Sequence, residues 1–234
     1  MNIKYCTDYK QMSQFAADTV VEVLKTGPGK SLCAATGHSP KGTYRNLVNT
    51  FKKHPDFFKD LKIVKLDEWG GLPNSNPNSC DFYIRQELLG PLHISDLNYI
   101  SFRGNAGLLQ QECERVEQLL KDIGPIDIAV LGLGVNGHIG FNEPADILQP
   151  QCHIAKLSPE SLNHQMMSSM SIKPNYGLTL GIENILQAKK IILLVTGVNK
   201  KNITEQLLTK VITPKLPASY LWQHDNVDCL IAIK

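Results

Sequence analysis

Short apolar runs alternate with amphipathic stretches along the whole chain. Five runs read as strands: Ser31-Leu32-Cys33-Ala34-Ala35, Ile63-Val64-Lys65-Leu66, Ile126-Asp127-Ile128-Ala129-Val130-Leu131, Ile191-Ile192-Leu193-Leu194-Val195 and Cys229-Leu230-Ile231-Ala232-Ile233. Several are apolar at successive positions, as expected of parallel strands covered by helices on both faces. Between them lie helical patterns. Residues 15–24 gather Phe15, Ala16, Thr19, Val20, Val23 and Leu24 on one helical face. Residues 107–123 run up to Gly124-Pro125, a stop signal, and residues 199–211 end before Pro214. The alternation predicts an α/β fold: a doubly wound, mostly parallel sheet with helices on both faces.

Composition narrows the picture. The chain has 234 residues, 42% of them apolar, enough for a substantial core without disulfide or metal staples. No repeat, composition shift or charge run divides it, so residues 1–234 read as one domain. The stretch 70–79, with Pro73, Pro77 and three asparagines, reads as a polar loop within it. Lys and Arg total 24 against 22 Asp and Glu, spread evenly, for a net charge of +2. That balance argues against nucleic acid or a membrane surface as partner. Six cysteines stand apart without a C-x-x-C pair, which suits a reducing compartment and offers no zinc spacing. The polar start Met1-Asn2-Ile3-Lys4 lacks the apolar core of a secretory leader. No apolar run reaches the ~20 residues of a membrane span. A cytoplasmic protein is expected.

In open α/β sheets, ligands sit beyond the carboxyl ends of the strands, so the residues after each run carry the chemistry. After the first comes Thr36-Gly37-His38-Ser39-Pro40. Gly37 allows close backbone approach, Ser39 stands where a helix N-cap is expected and Pro40 fits the first helical position. Such a terminus suits an anion, typically a phosphate, although a capped helix with nothing bound fits equally. After the second run, Asp67 and Glu68 are adjacent. On an extended strand they point to opposite faces, so one of them at most is expected to serve as a base. After the fourth, Thr196-Gly197-Val198-Asn199-Lys200 repeats the strand, turn and helix design, with a lysine that is unfavourable there unless an anion meets it.

The richest segment is Leu131-Gly132-Leu133-Gly134-Val135-Asn136-Gly137-His138-Ile139-Gly140-Phe141-Asn142-Glu143-Pro144. Its G-x-G-x-x-G spacing invites a dinucleotide site. That reading fails, because Gly140, Asn142 and Pro144 make a poor helix and no acidic strand end follows about 20 residues on. An amide, an imidazole and a carboxylate instead fall close together on a glycine-rich loop. With two anion-friendly turns and a carboxylate elsewhere, the inventory suits proton transfer on a small phosphorylated metabolite.

At this point the sequence resembles the glucosamine-6-phosphate deaminase/isomerase family, which stands beside the 6-phosphogluconolactonases in fold. The resemblance runs from about Ser31 to Ile233 and is strongest from Gly134 to Pro144. Thr36 to Pro40, Leu66-Asp67-Glu68-Trp69, Tyr176-Gly177-Leu178-Thr179-Leu180-Gly181, Thr196-Gly197-x-x-Lys200 and Leu216-Pro217-Ala218-Ser219 support it. A lactonase is expected to read Gly-His-Thr-Ala-Ser where this chain has Gly137-His138-Ile139-Gly140-Phe141, so Phe141-Asn142-Glu143-Pro144 favours the deaminase branch. The Rossmann-like sugar-phosphate isomerase/deaminase fold follows from that resemblance.

The resemblance implies catalytic roles for Asp67, Asn136, His138 and Glu143, and substrate contacts from Thr36, Gly37, Ser39 and Lys200. Asp67 matches the enolisation base, His138 the ring-opening group and Glu143 the carboxylate that orients it. Asn136 matches a position that is Asp in some members. The implied reaction turns a hexosamine 6-phosphate, glucosamine or galactosamine, into the ketose 6-phosphate and ammonia, without cofactor or metal. One departure stands out: family members carry a phosphate-binding arginine after the strand near Ile154, and this chain has neither Arg nor Lys between Ser158 and Lys173. Phosphate binding then leans on Ser39, the turn backbone and Lys200, with His164 or Lys41 as helpers. This altered pocket resembles the branch linked to galactosamine 6-phosphate more than the glucosamine enzymes. The chain ends at Lys234, short of the extension of longer, allosterically regulated members, so no sugar-phosphate effector site is expected. The family includes monomers and homo-oligomers. Two alternatives remain: a lactonase-like hydrolase with His138 as base, and a non-catalytic sugar-phosphate-binding regulator.

Overall fold

The computed structural model describes residues 1–163 and 173–233. Among these, seven strands form one sheet in the order β1 (Asn2–Tyr5), β10 (Val227–Ala232), β9 (Ile191–Thr196), β6 (Ile128–Gly132), β2 (Ser31–Ala34), β3 (Lys62–Lys65), β5 (Tyr99–Ile100). Every pairing in it is parallel. The doubly wound parallel sheet expected from the sequence is therefore present. All five predicted runs contribute a strand, and β1 and β5 extend its two edges.

The two-sided apolar pattern of these runs has a direct cause. Successive residues of a strand feed opposite faces. Leu32, Ile128, Val130, Ile192 and Leu194 pack on one face with Met12, Ala16 and Val20 of α1 (Tyr9–Leu24) and Tyr44 and Leu47 of α2 (His38–Phe51). Cys33, Ala129, Leu131, Leu193 and Val195 pack on the other with Cys113, Val116 and Leu120 of α4 (Leu109–Ile123). Both faces are covered, so neither could be polar. The six cysteines are free and buried.

A second sheet was not anticipated. Its order is β4 (Asp67–Trp69), β8 (Tyr176–Thr179), β7 (His153–Lys156), all antiparallel. The chain passes from one sheet to the other at a single residue, Leu66. Its N–H donates to the Ala34 carbonyl of the main sheet, and its carbonyl accepts from Leu180 N beside β8. The run 63–66 thus continues, without a loop, into the three-residue β4.

Several element ends differ from the sequence pattern. Helix α1 starts at Tyr9, ahead of the apolar face, because the Asp8 carboxylate accepts from Gln11 N at 2.7 Å and caps it. Helix α2 starts one residue before Ser39, with Gly37 at the cap position and φ of 96°, a left-handed conformation suited to glycine. Ser39 is therefore not the cap, and its hydroxyl is not spent on one. The predicted helix 199–211 divides into a 3₁₀ turn, Val198–Lys200, and α7 (Lys201–Leu208). The remaining helices are α3 (Cys80–Ile84), α5 (Pro159–Leu162) and α6 (Ile182–Leu186).

Strand order fixes where a ligand can enter. From β2 the chain goes outward to β3, and from β6 outward to β9 on the other side. The connections diverge between β2 and β6, which opens a crevice above their carboxyl ends.

Candidate active site

A cleft of about 660 Å³ occupies that crevice, with Thr36, Ser39, Asp67, His138, Ser161 and Lys200 among its walls. Each comes from the segment after a strand, Ser39 on α2 and Ser161 on α5. At one end, Trp69 and Phe141 pack with ring centroids 4.6 Å apart and complete the apolar wall.

Asp67 opens β4 and faces the cleft, and strand alternation turns Glu68 inward. Glu68 is wholly buried and its carboxylate accepts from the backbone N–H groups of Trp69, Cys80 and Asp81 at 2.8–2.9 Å. Asp67 is 7% exposed, and its Oδ1 has no hydrogen-bond partner among the described residues. The Cys80 thiol stands beside it and favours its charged form. Burial, reinforced by the Glu68 charge, pushes Asp67 up to about 7, with His138, Lys65 and Cys80 offsetting part of the rise. A buried carboxylate with an empty acceptor and a neutral-range titration is equipped to take a proton.

Across the cleft, the 134–138 turn is closed by Gly134 N donating to the His138 carbonyl. The His138 ring lies against Gly134 so closely that a Cβ there would sit 2.4 Å from Nε2. Its Nδ1 is 3.4 Å from Glu143 Oε2 and 3.4 Å from Ser161 Oγ. Glu143 lies behind the imidazole in a cage of donors. Asn136 Nδ2 donates to it at 2.9 Å, Ser158 N at 3.3 Å, and Ser161 Oγ donates as well. Burial opposes its charge, but the bonds from His138, Ser161 and Asn136 outweigh that and hold Glu143 at about 2. Asn136 Oδ1 also accepts from His138 N at 3.2 Å, so the amide ties carboxylate and imidazole together.

Thr36, Ser39 and Lys200 also line the cleft; Thr36 Oγ1 lies 3.5 Å from Cys80 Sγ, and Lys200 is the last residue of its 3₁₀ turn. Burial lowers Lys200 to about 8, and no anionic partner for it is present among the described residues. Gly37 supports the α2 terminus from below, its carbonyl accepting from Tyr83 Oη at 2.7 Å. Lys41 points elsewhere, paired with Glu87 at 3.0 Å. His164 lies outside the described residues. No three described His, Cys, Asp or Glu side chains group to hold a metal.

The structure brings Asp67, His138, Thr36, Ser39 and Lys200 to one cleft, with Asn136 and Glu143 directly behind His138. Sequence reasoning missed Ser158, Ser161, Cys80 and His38. Ser158 left a signal, since Ser158-Pro159-Glu160 is a helix start and its Oγ caps α5. The wall positions of Ser161 and His38 left none.

The sequence pattern of the family described as glucosamine-6-phosphate isomerases/6-phosphogluconolactonase matches residues 8–230. The chain belongs to this family. Among its relatives there, the candidate deaminase AgaI of Escherichia coli (strain K12) is 39% identical over 224 residues, covering 96% of this chain and 89% of its own. Glucosamine-6-phosphate deaminase 1 of Bacillus subtilis (strain 168) is 36% identical over 233 residues, covering 99% and 96%. The solved structure of a monomeric glucosamine-6-phosphate deaminase superposes with a TM-score of 0.94 at 36% identity, covering 99% and 97%. A 6-phosphogluconolactonase from Thermotoga maritima superposes with a TM-score of 0.76 at 17% identity, covering 100% and 99%, a likeness of fold alone. Isomerase/deaminase and lactonase branches of the family thus share one architecture. Among the described residues no helix is long and apolar enough to cross a membrane.

Proposed function

We propose that the chain isomerises and deaminates a hexosamine 6-phosphate, releasing the ketose 6-phosphate and ammonia. One observation carries this reading: Asp67, whose carboxyl titrates near neutrality and has one buried oxygen unpartnered among the described residues, lines the same cleft as His138, with Glu143 behind the imidazole. Ring opening needs a group that moves a proton between the ring oxygen and the anomeric hydroxyl. Glu143, as an acceptor beside Nδ1, orients His138 for that task. Asp67 then takes the proton from C2 of the open-chain aldehyde and returns it to C1, leaving a ketimine at C2. Water adds to C2, the carbinolamine expels ammonia, and the ketose remains. Thr36, the Gly37–Ser39 turn and Lys200 hold the phosphate away from the reacting carbons.

A lactonase needs no carbon acid to be deprotonated, so it gives no use to the empty acceptor of Asp67. A binding regulator needs neither that base nor the caged carboxylate. Ammonia release is measured from glucosamine 6-phosphate and galactosamine 6-phosphate, with 6-phosphogluconolactone hydrolysis alongside. Ammonia from one of the hexosamine phosphates is expected. Lactone hydrolysis without ammonia, or binding without turnover of any of the three, overturns the proposal.

A further inference from the structure

Behind the cleft lies a cluster of charges that the reaction itself does not use. Lys65, the last residue of β3, is fully buried, as are Glu68 and Asp81. Its ammonium donates to Glu68 Oε2 at 2.5 Å, to the Phe102 carbonyl at 2.9 Å and to Asp81 Oδ1 at 3.4 Å. Its three donors are thus satisfied. The second Asp81 oxygen takes the Arg85 guanidinium at 2.7 Å, and Arg85 reaches on to exposed Asp96 at 2.7 Å. Three buried charges are expensive to desolvate, and apolar residues of the same volume often give equal or greater stability. A fold-stabilising role alone therefore accounts poorly for them.

Their location suggests what else they do. Lys65 and Glu68 bracket Leu66 and Asp67, where the chain leaves the main sheet for the small one. Glu68 holds Trp69 N on its own strand and the first two N–H groups of α3, so β3, β4 and α3 are bound through one carboxylate. We propose that Lys65 is a positioning residue for Asp67: by neutralising Glu68 and clamping the strand end, it aims the base into the cleft and sets its affinity for a proton.

The titratable groups facing Asp67 come from several elements, while β8 places the neutral Thr179 opposite it. Glu68 stands on its own strand, Lys65 on β3, Cys80 on α3 and His138 on the loop after β6. Cys33 on β2 and the Tyr44 hydroxyl on α2 interact with it from the remaining sides. Of these, Lys65 and Glu68 form a directly bonded pair of opposite charge, and their effects on Asp67 oppose each other. Removing the cation alone leaves Glu68 uncompensated beside Asp67 and disfavours a second negative charge. Removing the anion alone does the reverse.

This inference rests on Asp67 as the base, so its test reads the carboxyl group directly. Wild type, Lys65→Met, Glu68→Gln and the double variant are labelled with ¹³C at the aspartate carboxyl carbons. Asp67 is titrated by NMR, with Asp67→Asn assigning its resonance. In Lys65→Met the Asp67 midpoint is expected to rise by about one pH unit or more, and in Glu68→Gln to fall. The double variant, in which the pair is removed together, is expected to lie between them. The acid limb of kcat/KM follows in the same order wherever turnover is measurable. An Asp67 midpoint unchanged in Lys65→Met, or moved the same way by both single variants, overturns the inference. Should Lys65→Met fail to fold, Glu68→Gln and the double variant decide: a midpoint that does not fall in Glu68→Gln overturns it. Absence of turnover on either hexosamine phosphate would sink the functional reading and leave the titration result standing.

Discussion

The His138 Nδ1 and the Glu143 carboxylate stand 3.4 Å apart, and donors from the 134–138 turn and from α5 converge on the same carboxylate. Glu143 therefore does more than accompany the histidine. It joins the loop after β6 to α5, the only described helix to place a serine against both Glu143 and His138. Glu143→Gln keeps the volume but turns an amide toward one of these donors. A fall in kcat of about 10²- to 10⁴-fold is expected, the range of a lost acid–base arrangement. Because the folded group titrates at about 2, against an ordinary 4.5, its contribution to stability is full above about pH 4.5 and fades as pH falls toward 2. Melting temperatures of wild type and Glu143→Gln should thus differ most at neutral pH and converge in acid.

Asp67 carries the opposite sign. Its folded titration is raised from 3.8 to about 7, so the folded protein holds this proton more tightly than the unfolded chain. Stability is lost as pH rises from about 4 to 7, and the burial of the charge is felt in full above that. Asp67→Asn should be more thermostable than wild type at pH 8, with the gap closing near pH 4. Its kcat should drop by about 10²- to 10⁴-fold while substrate binding persists. Calorimetry at the two pH values, paired with steady-state kinetics, checks both halves. Wild-type kcat/KM should also show an acid limb near pH 7.

Lys200 is a largely buried cation lining the cleft, proposed to meet the substrate phosphate. Its loss of a charge-assisted hydrogen bond of roughly 1.5–3 kcal/mol in Lys200→Ala corresponds to about a 10- to 150-fold rise in KM. A smaller change in kcat is expected, because the phosphate is held alike in ground and transition states. Since burial lowers its titration from 10.5 to about 8, the cost to stability is complete below pH 8 and relieved as pH rises toward 10.5. The variant should melt higher than wild type at pH 7. An unchanged KM would remove Lys200 from the phosphate end.

The main sheet was legible because its strands are covered on both faces, so each announces itself as an apolar run such as Ile191-Ile192-Leu193-Leu194-Val195. Shortness and polar residues hid the rest: β4 of the small sheet has three residues, two of them acidic, and β1, at an edge of the main sheet, has Asn2, Lys4 and Tyr5 largely solvated. The cleft was legible wherever a glycine, an imidazole or a carboxylate follows a strand, as at Gly37, His138 and Asp67. Ser161 escaped because a serine on a short helix has no local signature, and its role comes from the fold bringing α5 over the 134–138 turn. The Ser39 position was misread by two residues, since Gly37 itself ends the turn with a left-handed backbone and leaves the serine inside the first helical turn.

The passage of the chain from one sheet to the other at Leu66 bears on how such a site can diversify. Asp67 and Glu68 hang on sheet register, not on loop length, so insertions cannot move the base gradually. A slip of one residue in β4 would exchange the two side chains, burying the aspartate and bringing the longer glutamate to the substrate. The carboxylate proposed as the base thus stays pinned to a joint that tolerates no intermediate lengths.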